Sequence, residues 1–268
     1  VADKLTLRQV AKTFEVDGGA VPVLQPFDLS VADGEFVTIV GPSGCGKSTL
    51  FNIVAGLLPS DGGGRLLIDG HAVASPLGQV AYMPQRDLLF PWRTVLDNAV
   101  IGLEIQGVAR AEARRRALDV IGQFGLDGFA DYYPFALSGG MKQRVALLRT
   151  FLFQSDIMLL DEPFGALDAL TRSILQEWLA GVCARHRRTI LFITHDVEEA
   201  IFLGDRVVIM TARPGRLKLE VKVELDRPRP PQSVTSESFV ALKKQVLDAI
   251  RDESLRSFAA QSGEDPRA

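Results

Sequence analysis

Eight consecutive residues, Gly41-Pro42-Ser43-Gly44-Cys45-Gly46-Lys47-Ser48, hold the densest chemical information in the chain. They match G-x-x-x-x-G-K-[ST] in full, and Thr49 follows directly. Glycines at 41, 44 and 46 let the backbone wrap closely, so that its N–H groups point inward at phosphate oxygens. A helix beginning at Lys47 adds unpaired donors and a favourable dipole. Lys47 supplies a mobile positive charge for the outer phosphates, and Ser48 a hydroxyl ligand for Mg²⁺.

A second cluster lies more than a hundred residues on. The apolar run Ile157-Met158-Leu159-Leu160 ends in Asp161-Glu162. A buried strand that ends in two acids places them at the C-terminal edge of its sheet, where a phosphate loop also sits. Asp161 is then placed to hold Mg²⁺, directly or through water, and Glu162 to polarise an attacking water. Between the two clusters, Ser138-Gly139-Gly140 leads into a helical pattern. It offers a second anion site, an N-cap hydroxyl with free backbone donors.

These groups need a sheet edge to hold them. Glu35–Val40 reads as a strand that stops at Gly41-Pro42, and Leu50, Ile53, Val54 and Leu57 keep helical spacing behind Lys47. Short strands are expected before residue 40, with Leu5-Thr6-Leu7 alternating. Nearly continuous apolar runs return at Ile157–Leu160, Thr189–Thr194 and Arg206–Met210, the mark of parallel strands buried on both faces. Residues 87–150 change character, with Ala- and Arg-rich helical segments, and read as a helical insertion in a βα-repeating core. Arg114-Arg115-Arg116 there reads as a solvated helix face, and Cys183 as core packing beside Trp178, Leu179 and Val182. Arg227-Pro228-Arg229-Pro230-Pro231 reads as a stiff linker. Beyond it Phe239, Leu242, Val246 and Ile250 share one face of a helix over 236–251, capped by Thr235 or Ser236. That stripe docks either on the chain's own core or on a partner.

Composition narrows the classes. Of 268 residues 47% are hydrophobic and 24% charged, an ordinary globular balance. No uninterrupted apolar run reaches the roughly 18 residues of a membrane span, and no secretory signal is visible at the N-terminus. A net charge of −3 gives no electrostatic argument for nucleic acid as a partner. Two cysteines and three histidines have no metal-ligand spacing.

In this order and spacing the motifs resemble those of the nucleotide-binding subunit of an ATP-binding-cassette transporter, over residues from about 5 to 225. Ser138 to Gly140 is similar to that family's signature loop, with Met141 where the family usually has Gln. The resemblance implies a phosphate-loop NTPase (RecA-like) α/β core, an N-terminal antiparallel β-subdomain and an inserted all-helical signature subdomain. It divides the chain into a cassette at 1–225, with the helical subdomain at about 87–150, and a linker with C-terminal helical extension at 226–268. It implies ATP hydrolysis with Mg²⁺ as cofactor. Gln85 resembles the glutamine that senses Mg²⁺ and the membrane subunit, Gly165-Ala166-Leu167-Asp168 the D-loop, and His195 the switch histidine on the γ-phosphate. Phe14 resembles the aromatic that stacks on adenine, the alternative being plain core. Glu162, His195, Gln85 and Lys47 are thereby the expected catalytic set, and Ser48, Gln85 and Asp161 the expected metal set.

Leu88–Asn98, Met141 and Arg213-Pro214-Gly215-Arg216 further resemble the importers of nitrate, taurine and aliphatic sulfonates. The expected partners are a second copy of the chain closing over ATP, transmembrane permease subunits docked on Phe90–Thr94 and, indirectly, a solute-binding protein. The expected location is peripheral, on the cytoplasmic face of the inner membrane. An ABC exporter subunit is the alternative. A chromosome-maintenance ATPase would split these motifs with a long coiled coil, and a ribosome-acting cassette would carry two phosphate loops.

Overall fold

A computed structural model of the chain describes residues 3–186 and 188–262, without the side chains of residues 183–186 and 256–262. In chain order, β1 (Asp3–Val16) and β2 (Gly19–Ala32) precede β3 (Phe36–Val40) and α1 (Lys47–Val54). Then come β4 (Arg65–Ile68), β5 (His71–Ala72), β6 (Ala81–Met83), α2 (Val95–Ala99), α3 (Ile101–Ile105), α4 (Arg110–Ile121) and α5 (Gly139–Leu152). The second half runs β7 (Ile157–Asp161), α6 (Ala169–His186), β8 (Thr189–Ile193), α7 (Val197–Leu203), β9 (Arg206–Met210), β10 (Leu217–Lys222) and α8 (Glu237–Ser262).

Two sheets organise these elements. One has the order β2-β1-β4-β5 and is antiparallel throughout. The other has the order β10-β9-β3-β8-β7-β6, and only its edge strand β10 runs antiparallel. The opening strands are longer than the short ones the sequence suggests. β1 and β2 have 14 residues each, because register shifts let a single hairpin bend without breaking.

Side-chain alternation explains the continuous apolar runs. Ile157, Leu159, Leu191, Ile193, Val208 and Met210 point into a core shared with the antiparallel sheet and α1. Met158, Leu160, Ile190, Phe192, Val207 and Ile209 point the other way, into a core closed by α5, α7 and α8. Thr38 in the middle of β3 is buried with its hydroxyl donating to the Ala200 carbonyl at 3.1 Å, and charged residues are left to the strand ends. That is where the chemistry sits.

The C-terminal segment departs from the sequence expectation in two ways. Arg227–Pro231 is an anchored strap, not a free spacer. Arg229 is buried and donates to the carbonyls of Ile201, Phe202 and Gly204 at 2.8–2.9 Å, closing the C-terminus of α7. α8 then runs 26 residues, ten more than the stripe predicts. Phe239 and Val246 are fully buried, with Leu242 and Ile250 packed against the same core, so the stripe docks on its own chain. Ser236 caps the helix by accepting from the Phe239 N–H at 3.3 Å.

Arg114 also differs from the solvated face expected of it. It reaches Asp97 at 2.6 Å and ties α4 to α2, whereas Arg115 and Arg116 pair with Glu112 on their own helix. Cys183 and His186 lie outside the described side chains. Among the described residues no helix is long and apolar enough to cross a membrane.

Candidate nucleotide-binding site

The phosphate loop spans the gap between β3 and α1, as its sequence context requires. Gly46 caps α1 at φ 106°, a left-handed conformation that L side chains rarely adopt. A Cβ there would also stand 3.0 Å from the Val23 carbonyl. Lys47 is buried, and its ammonium donates to the carbonyls of Gly41 and Pro42 at 2.8 and 2.9 Å. Those bonds fold its charge back over the loop, where phosphate oxygens would lie.

Cys45 is a partial correction to the loop assignment. Its backbone belongs to the cradle, but its thiol is fully buried in the core beneath and does not face a ligand. Burial raises the thiol pKa, against the lowering effect of nearby Lys47.

A cleft of about 290 Å³ opens over the loop. Ser43, Gly44, Gly46, Lys47, Ser48 and Thr49 form its floor, with Val23, Gln85 and Glu162 around them. The strand ends bring in the distant groups. Asp161 closes β7 and is 2% exposed, with Ser48 as a neighbour. Burial pushes its carboxyl pKa up, and the neighbouring Glu162 adds to the rise, while Ser48 and Lys47 oppose it.

Glu162 follows in an unusual conformation. Its φ is +48°, a left-handed position that costs a non-glycine residue roughly 1–2 kcal/mol. Three hydrogen bonds hold it there. Its N–H donates to Ile193 of β8 at 2.9 Å, and its carbonyl accepts from Gly165 N–H at 3.2 Å and Gln143 Nε2 at 2.8 Å. The carboxylate accepts from Gln85 Nε2 at 3.1 Å and stands 3.5 Å from His195 Nδ1. The parallel sheet therefore brings Lys47, Ser48, Gln85, Asp161, Glu162 and His195 together from four loops.

Other expected residues stand elsewhere. Ser138 caps α5 by accepting from Met141 N–H at 3.2 Å, and Ser138, Gly139 and Gly140 are not among the residues lining the cleft. Asp168 accepts from Thr171 N–H at 3.0 Å at the start of α6, and it too is outside the lining. Phe14 is half-buried, belongs to neither core cluster, and carries the Lys12 ammonium 5.7 Å over its ring. The plain-core alternative for Phe14 is thereby corrected.

Two supports were not legible as such in the sequence. Gln143 lies on the buried face of α5 and bonds Glu162 O and Ala166 N–H with its two amide ends. Its sequence signal is a long polar residue among the mostly apolar residues that α5 buries. Gly215, after β9, exchanges hydrogen bonds with Val23 and Gln25, and a Cβ on it would stand 2.0 Å from the Cys45 carbonyl. That glycine lets the β9–β10 turn brace the phosphate loop from behind.

A family profile described as "ABC transporter" matches residues 24–165, more than half of the chain. The chain belongs to the ABC transporter family. It is an ATP-binding subunit of that family, and its activity is ATP hydrolysis. An uncharacterized ABC transporter ATP-binding protein of Methanocaldococcus jannaschii is 46% identical, over 95% of this chain and 94% of its own length. An aliphatic sulfonates import ATP-binding protein of Bacillus cereus is 42% identical, over 91% and 94%. The dimeric structure of a post-hydrolysis state of an ATP-binding cassette bound to ADP and Pi superposes with a TM-score of 0.75 at 30% identity, over 83% of this chain and all of that chain. The phosphate-loop NTPase fold agrees with that match, and so do the two sheets.

Proposed function

We propose that this ATPase powers import of a small solute, of the sulfonate, taurine or nitrate type or a related organic solute, through a separate membrane permease. The observation that carries the reading is an exposed aromatic knob that follows Gln85 of the nucleotide cleft along the chain. Phe90 and Trp92, five and seven residues past Gln85, stack at 5.2 Å and 7°, and Trp92 is 71% exposed. Arg149 on α5 holds the base of this segment through the carbonyls of Asp87 and Leu88 at 2.7 and 2.9 Å. A rigid apolar projection of this kind suits a protein partner, and the relative in Bacillus cereus is an import subunit. The permease would hold the chain peripherally at the cytoplasmic face of the membrane.

In this proposal Lys47, His195 and the loop N–H groups neutralise charge that develops on the γ-phosphoryl group. Glu162 takes a proton from the attacking water. The metal set fits Mg²⁺, because the buried Asp161 carboxylate and the neighbouring Ser48 hydroxyl are hard oxygen donors, and Gln85, whose Nε2 is taken by Glu162, has its amide oxygen left over. Mg²⁺, when bound, would supply further neutralisation of the phosphate oxygens. Ser138, Gly139, Gly140 and Asp168, exposed or half-exposed and away from the chain's own cleft, suit a role across a dimer of two copies. Phe14 would stack on adenine. The cassette at 1–225, with its helical part near 87–150, and the extension at 226–268 remain the proposed division.

The test is reconstitution with the permease in proteoliposomes. ATP-driven uptake that depends on a loaded solute-binding protein, and that falls on Trp92→Ala while ATP affinity holds, supports the proposal. ATP-driven efflux, without need of a binding protein, refutes import.

A further inference from the structure

We propose that Gln143 is a positioning residue through which α5 sets the Glu162 carboxylate, resting on the reading of Glu162 as the base. Gln143 is 7% exposed and spends both ends of its amide on one short turn. Nε2 donates to the Glu162 carbonyl at 2.8 Å, and Oε1 accepts from the Ala166 N–H at 2.8 Å. Glu162 is the residue in that turn with a positive φ. A left-handed glutamate persists only where its surroundings over-determine it, and this amide is the side chain that reaches its backbone from another element.

The consequence is mechanical. α5 begins at the capped Ser138-Gly139-Gly140 loop, and Gln143 lies one turn inside it. A displacement of that loop, such as a second copy would impose, moves Gln143 with the helix. The shift passes through one hydrogen bond to the Glu162 carbonyl, on the residue whose carboxylate is aimed, and a second to the Ala166 N–H of the same turn. Gly140 reinforces the link, since a Cβ there would stand 3.4 Å from the Ala166 carbonyl and 3.2 Å from Leu167 Cδ2. Signature loop, Glu162 and the 165–168 turn thus form one hydrogen-bonded block. A glutamine is needed because the block asks for a donor and an acceptor on one planar group.

The test is a double-mutant cycle on the full-length protein. Gln143→Met keeps the side-chain length and removes both bonds; Gln143→Glu keeps the acceptor for Ala166 and loses the donor to Glu162. Each is expected to lower kcat about tenfold to hundredfold, the scale of an ångström-sized misplacement, with ATP affinity unchanged. In a Glu162→Gln background, measured by phosphate release under single-turnover conditions, the same substitutions are expected to add nothing, because the group they position is gone. An unchanged kcat, a parallel loss of ATP affinity, or a full additive loss in the Glu162→Gln background overturns the proposal. Should Gln143→Met not fold, the cycle is read on Gln143→Glu. Wild-type turnover by Glu162→Gln alone would instead refute the base assignment, so the two failures are distinguishable.

Discussion

Truncating Phe239 to alanine tests whether α8 belongs to the cassette core. Phe239 is 0% exposed, within the same cluster as Phe202 and Leu203 of α7 and Val207 and Ile209 of β9. Removing a buried phenylalanine side chain costs about 3–5 kcal/mol, its transfer free energy plus the cavity left behind. In a chain of this size that corresponds to a fall of roughly 6–20 °C in the thermal midpoint. Val240, next along the same helix, is 51% exposed, and Val240→Ala is expected to stay within about 0.5 kcal/mol of the parent. Polar anchors hold the same interface: Glu253 is buried, pairs with Lys218 at 2.9 Å and accepts from Ala212 N–H at 2.9 Å. The assay is thermal unfolding followed by circular dichroism, with ATPase measured well below the midpoint. Activity there should stay near the parent value, since no α8 residue lines the nucleotide cleft. A Phe239→Ala midpoint indistinguishable from that of Val240→Ala would refute the docking.

Three further outcomes follow from the site. Glu162→Gln should keep ATP binding and lose about 10²–10⁴ in turnover, because an amide can position a water but not accept its proton; equilibrium ATP binding and phosphate release decide it, and near-normal release sinks the assignment. Gly215→Ala should lower both stability, by about 1–3 kcal/mol of overpacking, and nucleotide affinity, because the new methyl would stand 2.0 Å from the Cys45 carbonyl; unchanged calorimetric affinity would show that the turn does not brace the loop. Asp161→Asn tests the raised Asp161 pKa. The folded nucleotide-free protein retains that proton above the ordinary aspartate value of about 3.9, so stability relative to the Asn variant should fall as pH rises from there through the raised pKa. Urea midpoints of the pair across that range check the sign, and a flat difference refutes it.

The chemistry was legible in the sequence because it sits in contiguous runs whose local geometry is self-determined. Gly41–Ser48 must wrap into a cradle between a strand and a helix, since its glycines allow nothing stiffer and Lys47 begins the helix. Asp161 and Glu162 had to lie at a sheet edge, because the four residues before them are too apolar to lie anywhere but inside. Even the stripe on α8 was readable from spacing alone.

What the spacing could not decide is which surface covers which. The spacing of the α8 stripe allows the chain's own core or a partner, and the packing of Phe239 and Val246 in one cluster with residues of α7 and β9 selects the first. Arg227–Pro231 reads as a spacer because proline sets the backbone but not its neighbours, and the carbonyls that bind Arg229 come from residues 201–204. Cys45 is placed in the phosphate loop by its sequence, but only the packing shows that its thiol turns into the core under the cradle. Gln143 and Gly215 have meaning only through residues that are remote in sequence, Glu162 and Ala166 for one and Val23 and Cys45 for the other. Local sequence dictates conformations over a few residues, whereas long-range contacts are set by how whole faces fit, and that is decided only when the sheets close.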